Sequence, residues 1–180
     1  MLLTVKTTVL NPPSYILSFS DHWMPPTYGW IKCNIDGAFD DTAKDNGAGY
    51  VMRDFSSKDF FCDSIVFDVD SAEEAEARAI WAGLKKVVEL KLTRIIVESD
   101  AQDLVSQFSI GSFGGNLRTD AIFKDIQFFA SSLSGCIFSF QPRTCNFVAQ
   151  ELAKWAKANK SSMYWSVPPV WLRPFVEEDH

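Results

Sequence analysis

The order of the sequence patterns is the feature that most constrains the fold. Residues 31–36 alternate between apolar and polar side chains, which is typical of a strand that ends at Asp36. Two more strand patterns follow at residues 47–53 and 59–67, and the polar connections between them predict an antiparallel meander. After the meander, helix and strand patterns alternate. This order predicts an α/β fold in which a mixed sheet is flanked by helices.

The second half of the chain carries clear helix signals. Ser71, followed three residues later by Glu74, is a capping-box pattern, and apolar residues then recur at helical spacing as far as Val87. Because helical crossovers join parallel strands, we expect the first, fourth and fifth strands to be parallel. The later patterns predict, in chain order, a strand at 94–99, a short helix at 101–108, a long helix at 117–133, a strand at 136–141 and a last helix that follows Asn146 and reaches residue 159.

The length of 180 residues suits one domain with flanking segments. Residues 1–28 contain four prolines and no sustained periodicity, so we expect a linker or tail there. The domain itself is expected at residues 29–160. Residues 161–180 are rich in proline and tryptophan, and they are expected to form either a mobile tail or a segment that lies along the domain surface.

Composition limits the classes of function. No apolar run is long enough to cross a bilayer, and the N-terminus lacks the basic start of a signal peptide, so an intracellular protein without a membrane partner is expected. The four cysteines form no CxxC pair and there are only two histidines, which argues against a zinc site. The net charge of −6 argues against strong non-specific binding to nucleic acid. Any nucleic-acid role must therefore depend on local geometry and bound cations.

Three carboxylates occupy positions where charge is unusual. Asp36 and Asp100 end strand patterns, and Glu76 lies on the apolar stripe of a helix. Charged groups are rarely directed towards a core without a partner, and carboxylates that converge from separate elements favour a hard divalent cation, most often Mg²⁺. Plainer explanations stay open for each residue: a strand-ending turn at Asp36, an exposed helix acid at Glu76 and a helix N-cap at Asp100.

Four segments in series point to one family. They are GWIKCNIDGA, AEARAIWAGL, VESDAQDLV and RTCNFVAQELAKWA, and they span about residues 30–157. In this order they resemble the type 1 ribonuclease H domain, in the plant branch found in retroelements and their domesticated derivatives. The resemblance implies an RNase H-like fold with five strands. It also implies cleavage of the RNA strand of an RNA–DNA hybrid with two Mg²⁺ ions, for which Mn²⁺ could substitute.

The resemblance also implies roles for individual residues. Asp36, Glu76 and Asp100 match the first three metal-binding catalytic carboxylates of the family, and Gln150 stands at the place of the fourth. An amide oxygen can bind Mg²⁺ but carries no charge, so Gln150 would be a weak ligand. The residues expected to contact nucleic acid are Asn34, Gly37, Asn46, Ser99 and Arg143.

Two further charged sets bear on a nucleic-acid role. The basic row of the last predicted helix is expected to be a solvated face, with phosphate contact as the alternative; it comprises Lys154, Lys157 and Lys160. The loop after the first strand carries acids that would repel phosphate if the loop lay near the site; these are Asp40, Asp41 and Asp45.

The leading hypothesis is a monomeric, magnesium-dependent endoribonuclease that acts on RNA–DNA hybrids. Two alternatives keep the fold and drop the reaction. The first is a non-catalytic module that binds nucleic acid or a protein, which Gln150 and the acidic net charge favour. The second is a decayed retroelement fragment.

Overall fold

The computed structural model describes residues 22–57 and 60–179. The strands are β1 (Ile31–Ala38), β2 (Asn46–Arg53), β3 (Phe60–Phe67), β4 (Arg94–Ser99), β5 (Gly135–Phe140) and β6 (Met163–Trp165). The α-helices are α1 (Ala72–Glu89), α2 (Gln102–Ser109), α3 (Asp120–Ser131), α4 (Phe147–Asn159) and α5 (Arg173–Glu178). Most of the predicted proline-rich segment at residues 1–28 lies outside the described residues.

The strands form one mixed sheet in the order β5-β4-β1-β2-β3-β6. The pairs β1–β2 and β2–β3 are antiparallel, whereas β1–β4 and β4–β5 are parallel. This topology confirms the predicted α/β fold, with the meander followed by parallel strands. The predicted number of five strands was one too low, because β6 adds a sixth strand against β3.

The segment after α4 lies against the domain. Besides the pairing of β6 with β3, Leu172 is fully buried and the side chain of Asp179 is bonded to Arg53. β6 has only three residues within a stretch rich in proline and tryptophan, so no alternating pattern reveals it in the sequence. No helix in the described part of the chain is long and apolar enough to span a membrane.

The sheet is covered on both faces. On one face α1 packs its small and aliphatic side chains against β1, and Gly83 is needed because a Cβ there would lie 2.9 Å from Cys33 Sγ. On the other face Val148 and Leu152 of α4 contact β2 and β3. A Cβ at Gly49 would lie 2.6 Å from Ala153 N, so glycine allows α4 to approach the sheet backbone closely.

The two helices that flank the candidate site begin in different ways. The Oγ of Ser71 accepts the Glu74 N–H at 3.0 Å, which confirms the predicted cap of α1. Asn146 stands at the N-cap position of α4, yet its side-chain amide donates to Ile35 O at 2.7 Å and makes no capping bond. The start of α4 is therefore fastened to β1 directly before Asp36.

Candidate metal centre and nucleic-acid cleft

The three carboxylates singled out in the sequence meet at one edge of the sheet. Asp36 lies in β1, Asp100 follows β4, and Glu76 lies near the N-terminal end of α1. One oxygen from each of these residues lies within 4.8 Å of the others. The meeting follows from topology, because β1 and β4 are parallel neighbours and their carboxyl ends share an edge. We call these three residues the acid cluster.

Glu76 is held in place by the chain around Asp36 and Asp100. The Gly37 N–H donates to its Oε1 at 3.0 Å, and the Ser99 hydroxyl donates to its Oε2 at 3.4 Å. A Cβ at Gly37 would lie 2.6 Å from the carbonyl carbon of Ala75, so α1 can rest on β1 only because residue 37 is glycine. The sequence therefore builds this contact into the motif that contains Asp36.

The acid cluster holds more negative charge than its surroundings compensate. Burial and the neighbouring Asp100 raise the pKa of Asp36 to about 7. Burial, and then the charges of Asp36 and Asp100, raise the pKa of Glu76 well above its ordinary value. Burial also raises the pKa of Asp100. Carboxylates that resist ionisation together are those that a bound cation would stabilise most, so the cluster has the chemistry of a divalent-cation site.

An open cleft of about 770 Å³ lies over the acid cluster. Its walls also carry the basic side chains of Arg143, Lys154 and Lys157. The charges of Arg143 and Lys154 each lower the pKa of Asp36, against the larger raising effects of burial and Asp100. A cleft with acids at its base and cations on its wall can hold metal ions and a phosphate group side by side.

Among the predicted nucleic-acid contacts, Gly37 and Arg143 line the cleft. Asn34 does not, and its prediction is corrected. It is fully buried, donates to Glu98 Oε1 at 3.2 Å and accepts from Arg53 at 3.1 Å. Its amide is committed to a buried network below the site.

Asn46 and Ser99 are also fully buried, so their predicted contacts with nucleic acid are corrected as well. The Oδ1 of Asn46 accepts the Asp40 N–H at 2.8 Å, and its amide donates to Ala43 O at 3.3 Å. Asn46 thus shapes the loop between β1 and β2, whereas Ser99 positions Glu76. Both act on the cleft through other residues.

Gln150 is buried, with 3% of its surface exposed, and its side-chain amide donates to Arg143 O at 2.8 Å. This bond links α4 to the turn that carries Arg143.

Sequence reasoning missed several cleft residues. Glu73 could have been found, because it precedes Glu76 by three positions on the same helix face. The other aromatic or polar lining residues that it missed are Phe39, Gln102 and Asp103.

Together the sheet order, the flanking helices and the acid cluster define an RNase H-like domain. The chain belongs to the family described as reverse transcriptase-like, whose family model matches residues 34–156.

Similar proteins agree with this assignment. The chain is 31% identical over 91 residues to an Arabidopsis thaliana protein named "Putative ribonuclease H protein At1g65750". The match covers 49% of this chain, and the chain spans only 14% of that relative's length.

Solved structures share the fold. RNase H1 from Halobacterium salinarum has a TM-score of 0.66 at 16% identity, with 72% of this chain and 98% of that one covered. The N-terminal RNase H domain of Rv2228c from Mycobacterium tuberculosis has a TM-score of 0.63 at 22% identity, with 72% and 94% covered. LC11-RNase H1, solved in complex with an RNA/DNA hybrid, has a TM-score of 0.62 at 20% identity, with 73% and 99% covered.

Proposed function

We propose that this protein is a magnesium-dependent endoribonuclease that cleaves the RNA strand of RNA–DNA hybrids. The observation that carries the proposal is the acid cluster: three carboxylates from three separate elements, with oxygens within 4.8 Å, at the base of an open cleft. Membership of the reverse transcriptase-like family and the likeness to a hybrid-bound RNase H1 support it.

The donor set fits hard divalent cations. Mg²⁺ and Mn²⁺ bind through carboxylate oxygens, and Asp36, Glu76 and Asp100 would hold them. A bound pair of such ions would supply Lewis-acid activation of water and stabilise the leaving oxygen of a phosphodiester. The chain contributes the fixed orientation of Glu76, through the Gly37 N–H and the Ser99 hydroxyl. Positioning of this kind is what allows an active site to act without reorganising during the reaction.

The basic wall of the cleft would orient the substrate. Arg143 and Lys154 line the same cleft as Asp36 and lower its pKa, so a phosphate placed between them and the acid cluster would meet both cations. The amide of Gln150 holds the backbone of Arg143. In our proposal Gln150 anchors the Arg143 turn, and its role as a weak, uncharged metal ligand rests on the family resemblance alone.

A second candidate function is a non-catalytic module that binds nucleic acid. The observation that favours it is the neutral Gln150, which stands where the resemblance implies a fourth carboxylate. The residue is neutral and its N–H is used for a structural bond. A site with three anions in place of four would hold its metals less tightly.

A cleavage assay separates the two candidates. The substrate is an RNA–DNA hybrid with a labelled RNA strand, incubated with Mg²⁺ or Mn²⁺. We expect the wild type to cut the RNA strand, Asp36→Asn to lose at least about a hundredfold in rate, and Asp45→Asn, an exposed loop acid that does not line the cleft, to retain activity. Gln150→Asp tests the fourth position: it supplies a carboxylate but removes the bond to Arg143 O, so a rate above that of the wild type would show that the missing anion limits activity. Hybrid binding without cleavage, in the wild type and in Gln150→Asp alike, would establish the non-catalytic module instead.

A further inference from the structure

Lys157 differs from Lys154 in the source of its acidic partner, because Lys154 is bonded to Glu151 of its own helix at 3.1 Å, whereas the partner of Lys157 comes from the loop between β1 and β2. The Nζ of Lys157 lies 3.2 Å from Asp40 Oδ2, while its side chain lines the same cleft as Arg143 and Lys154. Lys154 and Lys157 lie three residues apart on one face of α4, so Lys157 stands one turn further from the acid cluster. A polyanion that lies along the basic wall would reach Lys157 next after Lys154.

The carboxylate of Asp40 is firmly placed by its own loop. Its Oδ1 accepts from the Thr42 hydroxyl at 2.6 Å and from the Thr42 N–H at 2.9 Å. The Asp40 N–H in turn donates to the buried Asn46 side chain at 2.8 Å. The Thr42 bonds, together with Lys157, lower the pKa of Asp40 to about 2, so the carboxylate is ionised at neutral pH. The loop thus presents a fixed negative charge towards the basic wall.

The backbone of Lys157 is fixed by the packing of α4 against the sheet. A Cβ at Gly47 would collide with Ala153 O and would lie 3.0 Å from Lys157 N, so this end of α4 lies directly on the start of β2. The side chain remains 32% exposed. Lysine carries a compact charge on a flexible stem, so its ammonium can exchange one anionic partner for another without movement of the helix.

We propose that Lys157 is a phosphate-binding residue of the cleft and that Asp40 holds it back until nucleic acid displaces the carboxylate. The inference rests on the proposed function and names a further specificity element of the same site. A ligand must supply enough phosphate contacts to compete with Asp40, which disfavours weak, non-specific anions. This competition agrees with a nucleic-acid role for a chain whose net charge is −6.

The test is the affinity for a labelled RNA–DNA hybrid, measured by fluorescence anisotropy with Ca²⁺ as the divalent ion and with the hybrid checked for integrity on a gel. Asp40→Asn keeps an oxygen acceptor for Thr42 but removes the charge that holds Lys157. We expect it to tighten binding about twofold to fivefold, the range of an exposed ion pair. Lys157→Met should weaken binding by a similar factor and reduce the slope of log affinity against log salt by about one.

The double variant and two controls make the test specific. In the Lys157→Met background, Asp40→Asn should give no gain beyond that of Asp45→Asn, which removes an exposed acid of the same loop. Lys124→Met, on the exposed face of α3, should leave affinity unchanged.

Two outcomes would overturn the inference. If the wild type binds hybrid and neither Asp40→Asn nor Lys157→Met changes the affinity, the ion pair only fastens the loop to α4 and the inference fails while the proposed function survives. If no variant binds hybrid even at low salt, the proposed function fails and the inference falls with it.

Discussion

Two groups of charged side chains lie on the same face of the sheet, and only one of them contains its own counter-ions. The acid cluster holds three carboxylates at the carboxyl ends of β1 and β4. The second group, which we call the balanced group, consists of Lys32 on β1, Glu98 on β4, Arg53 at the end of β2 and Asp179 directly after α5. In the balanced group Lys32 lies 3.2 Å from Glu98, and Arg53 lies 2.8 Å from Asp179.

The two groups differ in whether their buried charges are balanced by neighbours of opposite sign. The balanced group is nearly inaccessible to solvent, and its charges sum to zero. Arg53 is further held by the Asn34 side chain and by the Trp23 ring, whose centroid lies 3.9 Å away. The acid cluster has no such internal balance: burial raises the pKa of all three carboxylates, and repulsion by neighbouring carboxylates raises those of Asp36 and Glu76 further. Paired charges are part of the fold, whereas unbalanced ones call for a ligand.

The largest change in unfolding free energy is expected when an ion pair of the balanced group is broken. Asp179→Leu would leave the Arg53 guanidinium buried without its carboxylate, which typically costs about 3 kcal/mol of unfolding free energy. The double variant Arg53→Met/Asp179→Leu should recover most of that loss, because no charge then remains unpaired. Urea denaturation of both variants in EDTA measures the difference. A loss below about 1 kcal/mol for Asp179→Leu would contradict the role given to this pair.

In the acid cluster, removal of a charge is expected to increase the free energy of unfolding. Asp36→Asn removes one of three repelling charges, so in EDTA at pH 8 the variant should be more stable than the wild type by about 1–2 kcal/mol. Asp45→Asn, which neutralises an exposed loop acid, serves as the control and should change stability by less than about 0.5 kcal/mol. Urea denaturation tests both. Destabilisation by Asp36→Asn in EDTA would mean that the cluster is balanced by groups that we have not identified.

A smaller effect is expected in the pH dependence of stability and of Mg²⁺ binding. The pKa of Asp36 is about 7 in the folded protein against 3.8 for an ordinary aspartate, so the folded state binds the proton more tightly. Its stabilising contribution is fully present below pH 3.8 and is lost as the pH rises to 7. Binding of Mg²⁺ needs the ionised form, so the rise in melting temperature on addition of Mg²⁺ should be larger at pH 8 than at pH 5.5. An equal rise at both pH values would show that Mg²⁺ binds elsewhere.

The acid cluster could be predicted from the sequence because each carboxylate belongs to a recognisable element. Asp36 and Asp100 end strands whose parallel directions follow from the order of elements, and Glu76 lies on a helix with a clear cap. Local patterns placed each carboxylate on its element, and the adjacency of β1 and β4 in the sheet brings these residues together. The chain order of the first five strands could be predicted in the same way.

The balanced group could not be predicted, because its partners are brought together only by tertiary packing. Asn34 shares a strand face with Asp36, and nothing local indicates that Arg53 and Glu98 occupy its amide. Asp179 meets Arg53 across 126 positions, through a segment that has no periodic signal. The wrong assignment of Asn34 to nucleic-acid contact has this cause.

Direct binding of Mn²⁺ tests the central claim, which is that the acid cluster is a divalent-metal site. The signal of free Mn²⁺ in electron paramagnetic resonance, recorded at pH 8 as protein is added, reports the bound ion. We predict that the wild type binds Mn²⁺, that Asp36→Asn and Glu76→Gln each abolish this binding, and that Asp103→Asn in the same cleft preserves it. Mn²⁺ binding of the same strength in the wild type, Asp36→Asn and Glu76→Gln would contradict the account.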